Sequence, residues 1–241
     1  RDLVSGAIDG SLLITQDSGA ARTLPSSTAG IDAAALLPDG RVISADARGR
    51  LLLYDARGVI RTELALPMRV MSLRIEGAHT VAVPSYLSPG APPVLLDLEH
   101  GRIVALLEGH ASQVFSARWV AGHQILTAGD DGIARLWDGA TGQLRQTYRG
   151  GSRLLADATL TSDGMVMAGG NDGVLHFWDL ASGRLLWALP AHTSLIIGIH
   201  VEGDDIVTRG FAGELSRWRL PKPEQVIAAC GDRDQCVILP R

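Results

Sequence analysis

The chain has 241 residues, of which 46% are hydrophobic and 20% charged, with a formal net charge of −4. That length and balance suit a folded globular body, and the acidic excess gives no general attraction to nucleic acid or anionic lipid. No apolar run approaches the roughly 20 residues of a membrane helix, so membrane insertion is not expected.

In chain order, Leu3 to Ala7 reads as the second strand of a first unit whose innermost strand is missing at the N-terminal end. Asp32 to Leu37 is rich in Ala but too short to stand alone as a helix. In the third unit a Pro-rich insertion, Ser85 to Pro93, separates the second and third strands. The fourth unit is the clearest. Gln113 to Val120 alternates, Gln124 to Ala128 is a short apolar run, Gly129 to Gly132 turns, and Ile133 to Trp137 makes the next strand. Gly139 to Gly142 turns again before Gln143 to Tyr148. The segment ILTAGDDGIARLWD, Ile125 to Asp138, then recurs as VMAGGNDGVLHFWD, Val166 to Asp179. The sixth unit ends on Pro221-Lys222-Pro223 where the others turn, and Gln235 to Leu239 is a strand-like run left over.

Trp137 has equivalents at Thr15, Tyr54, Leu96, Trp178 and Trp218, at intervals of 39, 42, 41, 41 and 40 residues. A fixed period of this size marks a repeat architecture. A turn glycine follows at Gly19, Gly58, Gly101, Gly142 and Gly183. Four short strands per unit, repeated six times, predict an all-β chain folded as a β-propeller of four-stranded antiparallel blades. The units fall at about 1–24, 31–64, 69–107, 113–148, 153–189 and 194–229 within a single domain spanning 1–241. Residues 235–239 are expected to close the ring by completing the first unit. The alternative is seven blades, with an N-terminal part lying outside this chain, which begins at Arg1 and is read as a processed or excised piece.

Gly109-His110, Thr127, Asp131 and Trp137-Asp138 resemble the Gly-His to Trp-Asp signature of the WD-repeat propellers. In that family the His, a Ser or Thr, the Asp and the Trp form a hydrogen-bonded chain within one blade. The resemblance implies such a structural network at His110, Thr127, Asp131 and Trp137, and partial ones at Asp172 and Trp178 and at His192, Thr208 and Trp218. Indole N–H is donor only and carboxylate acceptor only, and His with a hydroxyl can bridge them. The fifth unit has Gly151 in the His place, the sixth has Ala212 in the Asp place, and the second has Arg48 and Tyr54 in the Asp and Trp places.

The residue before the network Asp points onto one rim of such a propeller. It reads Ile8, Ala47, Asp130, Asn171 and Phe211. Phe211, with Arg209, Arg48, Arg69, Tyr86, Asn171 and Asp130, forms the candidate partner-binding face, since aromatic and Arg side chains are enriched at hot spots. No G-x-S-x-G elbow, phosphate loop or H-E-x-x-H occurs, so no catalytic, cofactor or metal site is expected. Cys230 and Cys236 allow one small disulfide but lack metal-ligand spacing. The expected function is a non-catalytic interaction scaffold or sensor domain, bound to a protein partner or to another domain of its own polypeptide. The alternative is a propeller hydrolase or lyase with its site at the central channel. Lys222 is the only lysine among 22 basic residues, a bias that with abundant Ala and Gly points to a GC-rich bacterial genome. A cytoplasmic signalling or defence protein is the expected setting, without nucleic acid as partner.

Overall fold

A computed structural model describes residues 2–25 and 29–219, and the backbone of Cys236–Val237. The described residues are all-β, in six sheets. The chain divides into two compact units, Arg1–Gly109 and His110–Arg241.

The first unit holds three sheets. Strands β1 (Leu3–Gly6), β2 (Leu12–Thr15) and β3 (Ala21–Leu24) form a three-stranded sheet. Strands β4 (Ile31–Leu36), β5 (Val42–Asp46), β6 (Arg50–Tyr54) and β7 (Ile60–Ala65) form the second. The third comprises β8 (Val70–Glu76), β9 (His79–Pro84), β10 (Val94–Asp97) and β11 (Arg102–Leu106). The Ala-rich stretch from Asp32 is thus a strand, β4, held by its pairing with β5. Long-range pairing overrides a local helical leaning in so short a segment.

The second unit repeats the plan. Its first sheet, the fourth of the chain, contains β12 (Val114–Val120), β13 (Gln124–Gly129), β14 (Ala134–Asp138) and β15 (Leu144–Tyr148). The fifth contains β16 (Leu155–Leu160), β17 (Val166–Gly170), β18 (Val174–Trp178) and β19 (Leu185–Pro190). The sixth has β20 (Ile196–Glu202), β21 (Asp205–Gly210) and β22 (Leu215–Arg219). The run 235–239, expected to close the first unit, is described only at β23 (Cys236–Val237). That strand runs parallel to β19, with Trp187 opposite Cys236 and Ala188 opposite Val237, and so joins the fifth sheet. As the last antiparallel strand of its sheet, β19 has an edge whose N–H and C=O groups need a partner, and a passing strand satisfies them. Cys230 lies outside the described residues.

Within each unit the cores lie between successive sheets. In the first, Leu12 and Ile14 pack with Leu52 and Tyr54, and Ile43, Leu51 and Leu53 pack with Val70, Ala82 and Leu96. In the second, Leu126, Ala128 and Leu136 pack with Leu155, Ala158 and Trp178, and Met167, Leu175 and Phe177 pack with Ile199 and Ile206. Middle strands are therefore buried on both faces, and β5, β13 and β17 read as continuous apolar or small-residue runs rather than alternating ones. Each fully buried Leu, Ile or Val side chain contributes on the order of 1.5–3 kcal/mol. The turns between second and third strands close with a positive-φ glycine, as at Gly49 (78°), Gly132 (68°) and Gly173 (72°), whose amide bonds back three residues. Only Gly adopts this backbone without a Cβ penalty.

Candidate functional site

In the fourth sheet the link before β12, the turn after β13 and strand β14 bring five side chains together. His110 Nδ1 lies 3.0 Å from Asp131 Oδ1, and His110 Nε2 lies 2.8 Å from Thr127 Oγ1. Trp137 Nε1 donates to Thr127 Oγ1 at 2.9 Å. Arg135 Nη1 donates to Asp131 Oδ2 at 2.8 Å, and the backbone N–H of Ala111 donates to the same oxygen. Proton placement follows from donor counting. With the imidazole proton on Nδ1, His110 donates to Asp131, Thr127 donates to Nε2, and the indole N–H donates to a lone pair of the hydroxyl oxygen. The side chains of His110, Asp131 and Arg135 are only 2, 7 and 6% exposed, so each depends on the others for its partners. Burial pushes the Asp131 carboxyl up, but hydrogen bonds from His110, Arg135 and the Ala111 amide hold it well below the usual carboxylate range.

Arg135 sits at the fourth residue after Asp131 on the same edge of the turn, and that spacing recurs in the fifth sheet. There Gly151 leaves the His place empty, and His176 of β18 supplies the imidazole instead, its Nε2 2.9 Å from Asp172 Oδ2. A Cβ on Gly151 would meet Trp178 Cζ2 at 3.1 Å and His176 Cδ2 at 3.4 Å, so the missing side chain is what makes room for the rerouted ring. Trp178 then turns its Nε1–H to the carbonyl of Arg149 at 2.7 Å. In the sixth sheet His192 Nε2 and Trp218 Nε1 both meet Thr208 Oγ1, at 2.7 and 2.9 Å. Ala212 offers nothing to His192 Nδ1. The nearby acid is Glu214, which accepts from Ser194 Oγ at 2.9 Å. In the second sheet the carboxylate is supplied by buried Asp46, two residues ahead of Arg48, accepting the amides of Arg48 and Arg50.

A second recurring acid closes the outer turns. Asp55, Asp97, Asp138 and Asp179 each accept backbone amides two to four residues on, such as Val59 N, His100 N, Thr141 N and Ser182 N. These side-chain bonds stand in for a backbone turn, the usual role of Asp at such corners. At Asp138 hydrogen bonds from Arg145 and Thr141 hold the carboxyl well below its ordinary value. At Asp97 burial pushes the carboxyl up, but the amide and ring of His100 outweigh it and bring the pKa to about 2. The sequence signal is the Asp that follows Tyr54, Leu96, Trp137 and Trp178, replaced by Gln16 and Arg219 after Thr15 and Trp218. A third polar cluster has no such signal. Buried Asp157 of β16 accepts from Ser116 and Arg118 of β12 and from the amide of Ile199 on β20, joining all three inner strands of the second unit.

The rim candidates divide by unit. In the first, Tyr86 is 72% exposed and Arg48 is exposed, whereas Arg69 is held by Asp32 through two bonds of 2.8 and 2.6 Å. In the second, Phe211 is 72% exposed and Arg209 is exposed. Asn171 accepts from Ser152 and Leu154, and Asp130 from Ser112, so these two side chains are partly committed to their own turns. Among the described residues no group of three or more His, Cys, Asp or Glu is placed to hold a metal ion, and no helix is long and apolar enough to cross a membrane.

Residues 101–138, from β11 through β14, match the family model described as WD domain, G-beta repeat. No curated protein matches the chain. Among solved structures, the chain is similar to the computationally designed Ika8 protein, with TM-score 0.77 and 22% identity over 90% of this chain and 68% of that one. It is also similar to the C-terminal WD40 domain of Sif2, with TM-score 0.73 and 19% identity over 93% of this chain and 65% of that one. At such identities the likeness is one of fold, and the chain spans about two-thirds of the length of these structures.

Proposed function

Starting from a chain of the WD-repeat family with a β-propeller fold, we propose that it is a non-catalytic interaction scaffold or sensor domain that engages a protein partner through its turn-bearing rim. The observation that carries this reading is Phe211. The turn it occupies needs only its backbone, the N–H donating to the carbonyl of Leu195, yet a phenyl ring stands there 72% exposed. An aromatic ring held in water at a rigid turn contributes to partner burial and to nothing within the turn. Exposed Arg48 and Tyr86 of the first unit supply the same side-chain types at corresponding turns. WD-repeat domains generally act as protein-interaction scaffolds, which supports the same reading.

We further infer that the chain works within a larger bacterial, cytoplasmic signalling or defence protein, on the strength of its Arg-dominated basic residues. Nucleic acid is excluded as a partner in this reading because the net charge is −4. Affinity capture with the chain and with a Phe211→Ala, Arg48→Ala double variant tests the proposal. Loss of the captured partner with unchanged thermal stability is expected, and retention of every partner overturns it.

A further inference from the structure

The outermost strand of a sheet leaves a row of backbone groups without a partner, and such edges are commonly blunted by charge. Strand β3 carries Arg22, β7 carries Arg61 and Glu63, β11 carries Arg102 and β15 carries Arg145. Three of these guanidiniums reach the Asp of the outer turn, Arg61 to Asp55, Arg102 to Asp97 and Arg145 to Asp138. Strand β19 departs from the pattern. It reads Leu-Leu-Trp-Ala-Leu-Pro, without charge, and Leu186 stands 41 residues after Arg145, at the same place in the repeat. Among the described residues β19 is also the one outer strand that carries a further strand, β23, in parallel.

The edge of β19 is held in place by its own sheet. Trp187 is buried and stacks on Phe177 of β18, with ring centroids 3.7 Å apart. The Ala191 amide donates to the Gly173 carbonyl, which makes Val174–Pro190 a non-hydrogen-bonded pair. Bonded and non-bonded pairs alternate along an antiparallel ladder, so Leu175–Leu189 exchanges bonds and His176–Ala188 does not. The N–H and C=O of Ala188 therefore face the outer edge, where Val237 lies opposite Ala188. Pro190 brings no amide, so the edge offers a full ladder over a short stretch only. The described pairing spans Cys236 and Val237 and is parallel, the less stable kind per residue. A seat of this size holds a strand without fixing it permanently.

We propose that the outer edge of β19 is a strand-addition site closed by a releasable strap, and that the strap is the segment of this same chain that contains Cys236 and Val237. Seated, the segment takes the outward groups of Ala188 and shuts the edge. Released, it leaves an edge that adds another uncharged, extended strand in the same parallel sense. In sequence the segment suits this seat, since Gln-Cys-Val-Ile-Leu, Gln235 to Leu239, also carries no charge. The fifth sheet has its four antiparallel strands and packs against the fourth and the sixth, so the site is an edge and not an uncovered face. It is independent of the rim residues named above and goes beyond the scaffold reading.

Amide exchange followed by nuclear magnetic resonance on the intact chain tests this. The double variant Cys236→Pro, Val237→Pro removes both amides of the described strap. It is expected to speed exchange at Ala188 at least about tenfold and to leave Leu189, whose amide faces β18, unchanged. The Leu189 amide thus separates release of the strap from unfolding of the sheet. Acetylated Gln-Ser-Val-Ile-Leu, with Ser in place of cysteine to prevent disulfides, is the strand probe. It is expected to shift the Ala188 resonance of the double variant and to bind the parent chain at least about tenfold more weakly, because a tethered strand competes at high effective concentration. Leu186→Arg added to the double variant, which restores the charge found on β15, is expected to abolish that binding. Unchanged exchange at Ala188 in the double variant, or equal peptide affinity for the two forms, overturns the proposal. A parent chain that sediments as a dimer and loses Ala188 protection on dilution also overturns it, since the strap then comes from a second copy.

Discussion

The fourth and sixth sheets descend from one repeat pattern yet differ in what holds them. Both place a His before the inner strand, a Thr on the second and a Trp on the third, and in both the Thr hydroxyl joins ring to indole within hydrogen-bond distance. In the fourth the chain of bonds continues through Asp131 to Arg135, and strands β13 and β14 are buried almost throughout. In the sixth it stops at His192, and β22 alternates between exposed and half-buried residues. The comparison separates two duties that a single motif can serve. A completed network fixes strand register where strands are short and covered. A truncated one suffices where the third strand is only partly covered.

The strongest way to break the comparison is to remove its centre. Asp131→Ala strands the His110 and Arg135 donors in a buried site, and about 3 kcal/mol of stability is expected to be lost. Asp9→Ala, at the matching turn of the first sheet, loses only exposed hydrogen bonds from Ser11, so its thermal transition is expected to move far less. Equal shifts for the two variants contradict the role given to the network.

Acid sharpens the same contrast. The folded-state Asp131 carboxyl is held below its unfolded value of about 4, so its contribution is complete above that pH and is lost as pH falls below it. Asp97 behaves alike, losing its contribution between about pH 4 and its folded value of about 2. Urea midpoints measured from neutral pH downward are expected to fall less steeply for Asp131→Asn than for the parent chain. An unchanged acid limb contradicts the assignment.

Two smaller changes probe the incomplete copies. Gly151→Ala crowds Trp178 and His176 and is expected to cost about 1 kcal/mol by chemical denaturation, the low end for overpacking. Ala212→Asp restores the acid beside His192 and is expected to add about 0.5 kcal/mol, a modest net gain for a new hydrogen bond. A loss of stability from Ala212→Asp instead indicates that Glu214 already fills the acid's place by way of Ser194.

Much of the fold was legible because repeat spacing and turn glycines are local signals. The Trp137 period and Gly132, Gly142, Gly173 and Gly183 place most of the strands of the fourth and fifth sheets, and the sheets so placed are those of a WD40-like fold. What stayed hidden depends on pairing at a distance. The strand at Ile31–Leu36 has an Ala-rich composition that carries no strand signal until β5 lies beside it. His176 lies on a strand, away from the link that carries the ring elsewhere, so only the four-residue step from Asp172 marks it. Asp157 and Arg118 meet between two sheets, and nothing in their separation of 39 residues reveals it.

Amide hydrogen exchange across β13 and β21 measures the contrast between closed and truncated networks most directly. Thr127 and its neighbours on β13 are expected to exchange more slowly than Thr208 and its neighbours on β21, and Asp131→Ala is expected to erase the difference. Equal protection of the two strands in the parent chain, or a difference that survives Asp131→Ala, contradicts the account.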